Sequence, residues 1–253
     1  MRNLNLFAGA IAALSLAACG ATDTQPADGT AKLDVKIHDG EFATIQQFTT
    51  PGGVSVWLVE EPSIPILSVR MAWEAGSTND PEGLEGLTGA MVYQMNEGAG
   101  ELDSQAFTKR MEELNMSFGC SAGSDNTYCN ASMLMDNATE SFDVIASAFA
   151  EPRFDEGPWE RFVRETEVSL KTQETNARYL SGRALQNALY PDHPYSRELT
   201  AESLVAMTAA AAKAQKDILM VQDGLLVTAV GAISPQDLAP LIDKAVAGLP
   251  ASS

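Results

Sequence analysis

The chain has 253 residues, enough for one large domain or two small ones, and 45% apolar with 20% charged content fits a globular protein with a real core. Its 34 acidic residues against 16 basic ones leave a formal charge of −18. Phosphate binding needs clustered Lys and Arg, so this balance argues against a nucleic-acid partner.

In chain order, "MRNLNLFAGAIAALSLAACG" has one early Arg, a short apolar core and small residues before Cys19. It predicts a secretory signal over 1–18, too short to span a bilayer as a mature helix. "LAAC" resembles the bacterial lipobox, which makes Cys19 the acylated first residue of the mature chain, and Gly20 after it favours export to the outer membrane. Residues 19–39 then read as the lipidated Cys and a flexible tether, with "ATDTQPADGT" as its loosest part.

"GVSVWLVEE" alternates apolar and polar residues as a half-buried strand does, and after Pro62 and Pro65 "ILSVRMAWEAG" predicts a second strand. "GLEGLTGAMVYQMNEGAG" (83–100) reads as one amphipathic helix closed by a glycine, with Leu84, Leu87, Met91 and Met95 at steps of three and four. "DSQAFTKRMEELN" is a further helix, followed by strands over 116–123 and 127–135. A hairpin turning at Ser124-Asp125 sets Cys120 opposite Cys129, so an oxidising compartment permits a disulfide there; two small core residues are the alternative.

"TESFDVIASAFA" predicts a helix, "GPWERFVRETEVSLKTQETNARYL" one long helix, and "AESLVAMTAAAAKAQKDIL" an Ala-rich one after the "YPDHPYSREL" loop. "GLLVTAVGAI" is a central strand, and Ser234-Pro235 starts the last helix. Strands and helices mix without regular βαβ alternation, which predicts an α+β fold with a largely antiparallel sheet.

Only two histidines are present, His38 in the tether and His193 in a Pro-flanked loop. Neither has a His or carboxylate at helical ligand spacing, so a zinc site built from two His on one helical turn is excluded. "GCSAG" matches G-x-S-x-G, but a nucleophile elbow needs a strand, a sharp turn and a helix; here a strand follows Ser121, which makes it a poor nucleophile candidate. The acid pairs Glu112-Glu113 and Glu165/Glu167 fit solvated helix faces.

The order of elements resembles the pitrilysin/insulinase-type zinc peptidases, the inverzincins. The stretch from "TTPGGVSVWLVEE" to "MNEGAG" follows that family's first strands and zinc helix, "HPYSR" is similar to its "HPYGR" loop, and "LLVTAVGAISPQDLAPLIDKAVAGLP" to the close of its first half-unit. The resemblance implies one half-domain of that fold over 40–250. In active members the helix carries H-x-x-E-H; here Gly89 stands at the first His, Val92 at the Glu and Tyr93 at the second His. The third ligand, a Glu on a later helix, falls at Lys171 or Thr172, or at Glu165 or Glu167 if the gap lies elsewhere.

Gly89 and Val92 offer no donor, and a phenol that stays protonated at neutral pH is a poor ligand. No zinc or other cofactor is therefore expected in this chain. Family units pair two half-domains around a chamber, so a short chain is expected to meet a zinc-bearing homologue or second half-domain. The reading is a non-enzymatic, lipid-anchored companion or peptide-binding subunit in periplasmic proteolysis. The alternatives are a scaffolding lipoprotein, or an active peptidase using other residues.

Overall fold

The computed structural model describes residues 33–252, so the predicted signal, Cys19 and most of the predicted tether lie outside the described residues. The sheet has seven strands: β1 (Lys36–Asp39), β2 (Thr44–Thr49), β3 (Ser55–Glu60), β4 (Ile66–Trp73), β5 (Ser117–Ala122), β6 (Thr127–Leu134) and β7 (Leu226–Gly231). Their spatial order is β1-β2-β3-β7-β4-β6-β5. Only the β3–β7 pairing is parallel among these, so the sheet is largely antiparallel, as the sequence predicts. The helices are α1 (Leu87–Met95), α2 (Ser104–Glu113), α3 (Ala138–Ala150), α4 (Glu156–Gln173), α5 (Ala177–Leu189), α6 (Ala201–Ala206), α7 (Ala209–Leu219) and α8 (Pro235–Val246).

Period-two alternation decides which face of the sheet is covered. Leu67, Val69, Met71 and Trp73 of β4 are buried, with Cys129, Ala131 and Met133 of β6 and Val227 and Ala229 of β7. Phe142, Ile145 and Phe149 of α3, Leu238 and Ile242 of α8 and Met91 and Met95 of α1 complete this core. The intervening residues face the other way: Ile66, Ser68, Arg70, Asn130 and Val230 are exposed, and the Arg70 guanidinium lies 4.0 Å from the centre of the Tyr128 ring.

Four sequence expectations are corrected. The tether does not extend to Asp39: Lys36–Asp39 pairs with β2, and His38 in it bonds Gln47 through Nε2 at 3.1 Å. All four residues of β1 are exposed, so the strand lacks the apolar alternation that marks one. The 83–100 helix shrinks to nine residues and is not amphipathic, since seven of the nine are buried. Gly83 and Gly86 both adopt positive φ, which ends helical geometry before Leu87.

The long helix breaks into α4 and α5, because Asn176 accepts from the Tyr179 N–H and so starts a new helix. The Ala-rich helix likewise breaks into α6 and α7, each opened by a threonine cap, Thr200 and Thr208.

Cys120 and Cys129 are disulfide-bonded across the β5–β6 register, with Cα atoms 4.0 Å apart. Replacing both by Ala is expected to lower unfolding free energy by about 2–3 kcal/mol, the loop-closure contribution of so short a crosslink. Denaturant unfolding of the double variant checks this; an unchanged midpoint would contradict it.

Candidate functional site

Helix α1 starts on Gly86, which has no side chain to cap the first turn, so the acceptor comes from outside the helix. Asp80, 3% exposed, accepts from Gly86 N (2.8 Å) through one oxygen and from Thr88 N (2.9 Å) and Thr88 Oγ1 through the other. Burial pushes the Asp80 carboxyl above its ordinary range, and the Thr88 and Gly86 hydrogen bonds only partly oppose this. Arg197 of the "HPYSR" loop donates to the Asp80 main-chain oxygen at 3.0 Å.

With its start fixed, α1 turns Leu87, Ala90, Met91, Gln94 and Met95 into the core. Gly89 and Tyr93, one turn apart, lie on the open side; Gly89 is exposed and a Cβ there would meet nothing, while Val92 is 8% exposed.

Helix α4 crosses this open side. The Tyr93 ring packs on Phe162 with centroids 5.2 Å apart, and Phe162 on Trp159 at 5.7 Å. Arg161 and Glu165, spaced i,i+4, share the face of α4 that meets Tyr93. Arg161 Nε donates to Tyr93 Oη at 3.0 Å, and Tyr93 Oη donates to Glu165 Oε2 at 3.3 Å. Arg161 is also ion-paired with Glu97, which accepts from Ser104 Oγ at 2.6 Å. The Glu97 hydrogen bond, then that of Tyr93, holds the guanidinium still more firmly protonated than usual.

Of the four residues considered on this helix as carboxylate counterparts, Glu165 is the one bonded to Tyr93; the side chain of Thr172 turns to its own helix, donating to Val168 O at 2.9 Å. These residues do not fit a zinc ion. Gly89 and Val92 present no donor atom, the Tyr93 phenol is already engaged on both sides, Glu97 is held by the Arg161 guanidinium, and Glu165 alone is too few ligands for zinc. Among the described residues no three His, Cys, Asp or Glu side chains converge as a metal-holding group.

The remaining candidates are placed elsewhere. His193 Nδ1 accepts from Tyr195 N at 3.1 Å, stabilising its own loop, and Tyr195 Oη donates to Asp125 at 2.6 Å at the tip of the β5–β6 hairpin. Ser121 is an ordinary exposed residue of β5, paired with Tyr128, with no helix after it. Glu113 lies 3.8 Å from Lys109 and 3.7 Å from Arg110 on the α2 surface.

Sequence reasoning missed Asp80, Glu97 and Arg161. The i,i+4 pair Arg161/Glu165 was a legible signal, since opposite charges at that spacing next to an aromatic often face a neighbouring helix. A double-mutant cycle of Arg161→Met with Glu97→Gln is expected to give a coupling of about 0.5–1 kcal/mol, modest because the pair is partly solvated. A coupling indistinguishable from zero in chemical denaturation would remove the Arg161–Glu97 pair as a tie between α4 and the segment after α1.

The comparisons with known proteins agree with this architecture. The family model described as insulinase (peptidase family M16) matches residues 55–203. A search of curated proteins gave no significant match. Among solved structures, an inactive domain of a peptidase M16 from Pseudomonas fluorescens is similar over 82% of this chain and 51% of that one, with 24% identity and a TM-score of 0.77. A protease from Helicobacter pylori is similar over 83% and 52%, with 17% identity and a TM-score of 0.71. The periplasmic protease PqqL from Escherichia coli is similar over 99% of this chain and 27% of that one, with 18% identity and a TM-score of 0.73.

At these identities the likeness is one of fold, and the chain spans about half the length, or less, of these structural relatives. The family model covers more than half of the sequence, from β3 through the zinc-helix position to the "HPYSR" loop and the start of α6, so the chain belongs to the insulinase family of peptidases, family M16.

Proposed function

We propose that this chain is a non-catalytic M16 half-unit that works beside a zinc-bearing M16 chain, contributing a peptide-binding wall rather than the reacting groups. The observation that carries the reading is the composition of the ligand positions on α1, Gly89, Val92 and Tyr93, with the Arg161 guanidinium bonded to the last of them. The likeness to an inactive M16 domain supports it.

Support for a partner comes from surfaces that a lone domain would be expected to bury. No residue of α5 is buried, and Leu180, Leu185 and Leu189 stand exposed along it with Tyr190 after it and Val168 on α4. The net charge of −18 favours basic or unfolded peptides over acidic ones. The direct test is co-purification of the full-length chain with its native partners, followed by peptidase assays of each component and of the complex. Cleavage by a complex with an H-x-x-E-H homologue, and none by this chain alone, is expected. Cleavage by the isolated chain would overturn the reading, and a partner without peptidase character would favour a scaffolding role.

The chain is further proposed to be exported and held through acylated Cys19 at the periplasmic face of the outer membrane. No helix among the described residues is long and apolar enough to cross a membrane. Cys19→Ala is expected to move the protein from the membrane to the soluble fraction and to abolish labelling by a fatty-acid probe. Retained labelling would rule out that residue as the anchor.

A further inference from the structure

Pairing register fixes which residues share the uncovered face of the sheet, because directly opposite residues point the same way. Trp57 of β3, Thr228 of β7, Arg70 of β4 and Asn130 of β6 form one row across four adjacent strands. Ser117, Ser132 and Ser68 belong to the next row but one position along, and with Asn130 and Thr228 they line a shallow hollow around Arg70.

The composition of this face departs from that of the chain. There are 34 acidic residues in the sequence, yet among the described residues no Asp or Glu occupies a strand position on this side. Glu74, just past the end of β4, borders a second hollow beside Arg70 but lies about 13 Å farther along the extended chain. None of the ion pairs among the described residues involves Arg70.

The Arg70 guanidinium lies over the Tyr128 ring, 4.0 Å from its centre. Stacking fixes the guanidinium plane and leaves the N–H fork free within that plane, the arrangement that grips a carboxylate at two points. Trp57 stands exposed two strand spacings away, about 10 Å from Arg70, and Ile66, Leu134 and Val230 are exposed on the same face. Trp, Tyr and Arg together without acids is the composition of an interface centre, not of a solvated sheet.

Size narrows the occupant. Strands β3, β7, β4, β6 and β5 give a patch roughly 24 Å by 20 Å, on the order of 500 Å². Each side of a stable interface between folded proteins buries about 800 Å², so the patch suits a segment of a partner better than a whole domain.

We propose that this face docks an acidic segment of a partner protein, with an Asp or Glu carboxylate held by the Arg70 fork and the neighbouring hydroxyls, and an apolar side chain on Trp57. The inference goes beyond the peptidase-companion reading and stands without it. Local composition overrides net charge here: the chain as a whole repels anions, and this face does not.

The test uses the full chain and fluorescein-labelled hexaglutamate at 0.15 M salt, where repulsion from the remaining acids is screened beyond about 8 Å. Anisotropy gives affinity and NMR gives location. Binding is expected, with shifts of the Arg70 Nε–H and the Thr228 and Asn130 amide signals. Arg70 is exposed, so its variants are expected to fold. Arg70→Met is expected to lower the affinity about tenfold, and Arg70→Lys, which keeps the charge and loses the fork, about threefold. Hexalysine is expected to leave the Arg70 signal unmoved.

No binding of hexaglutamate by the wild type, or binding undiminished in Arg70→Met, would overturn the proposal. Arg70-dependent binding to phosphatidylglycerol vesicles without binding of hexaglutamate would overturn it in favour of a lipid surface. None of these results bears on the companion reading, which co-purification and peptidase assay decide.

Discussion

Trp73→Ala is expected to be the most damaging single truncation in the fold, lowering unfolding free energy by about 4 kcal/mol. Trp73 is 2% exposed at the end of β4, meets Phe149 of α3 edge-on with ring centroids 5.7 Å apart, and donates through Nε1 to Val221 O at 2.8 Å. Truncation leaves a large cavity between sheet and helix and strips a half-buried carbonyl of its donor, two losses of different kind that add. For a domain of this size the melting temperature is expected to fall by roughly 10 °C.

Trp57 is the control within the same sheet. It lies on β3 with 44% exposure, and Trp57→Ala is expected to change stability by less than about 1 kcal/mol. Equal losses for the two tryptophans would mean that the face carrying Trp57 is covered, and the description of an open sheet face would fail.

Asp80→Ala is expected to cost about 2–4 kcal/mol, since it leaves the Gly86 and Thr88 N–H groups without acceptors at the start of a buried helix. Its pH dependence has a definite sign. Burial raises the folded-state pKa of Asp80 above its unfolded value, so the native state holds the proton more tightly than the unfolded chain does. Stability from this group is therefore fully present below the ordinary carboxylate pKa of about 4, and is lost as pH rises through the higher folded value. Asp80→Asn is expected to remove that slope from the stability profile above pH ~4. A profile for Asp80→Asn parallel to that of the wild type through this range would show that Asp80 titrates alike in both states.

The fold class was legible because burial here is one-sided and period two is easily read: β4, β6 and β7 alternate so regularly that the inner face can be written down from the residues alone. Strands that bury almost nothing escaped for the converse reason, β1 most clearly. The two over-long helices failed on capping chemistry. Asn176 and Thr208 interrupt segments with good helical character, and whether such a residue caps a new helix or merely decorates an old one depends on which N–H its side chain reaches.

At the candidate site, the loss of donor atoms at Gly89 and Val92 was visible in the sequence, since no packing can give those residues a ligand atom. What replaced the metal position was not visible. Arg161 reaches Glu97 and Tyr93 across 64 and 68 residues of chain, and Asn96 reaches Cys120 across 24. Such contacts depend on how α4 crosses α1 and how α1 abuts β5, which no local pattern encodes.

The proposed non-catalytic role requires that the contact between α1 and α4 hold no zinc of its own. Zinc titration of the purified chain, read by isothermal calorimetry and by metal analysis after dialysis, tests it most directly when run beside a peptidase assay on the same sample. The account predicts no stoichiometric zinc and no cleavage. One zinc per chain, lost on Glu165→Gln or Tyr93→Phe and accompanied by cleavage, would contradict it.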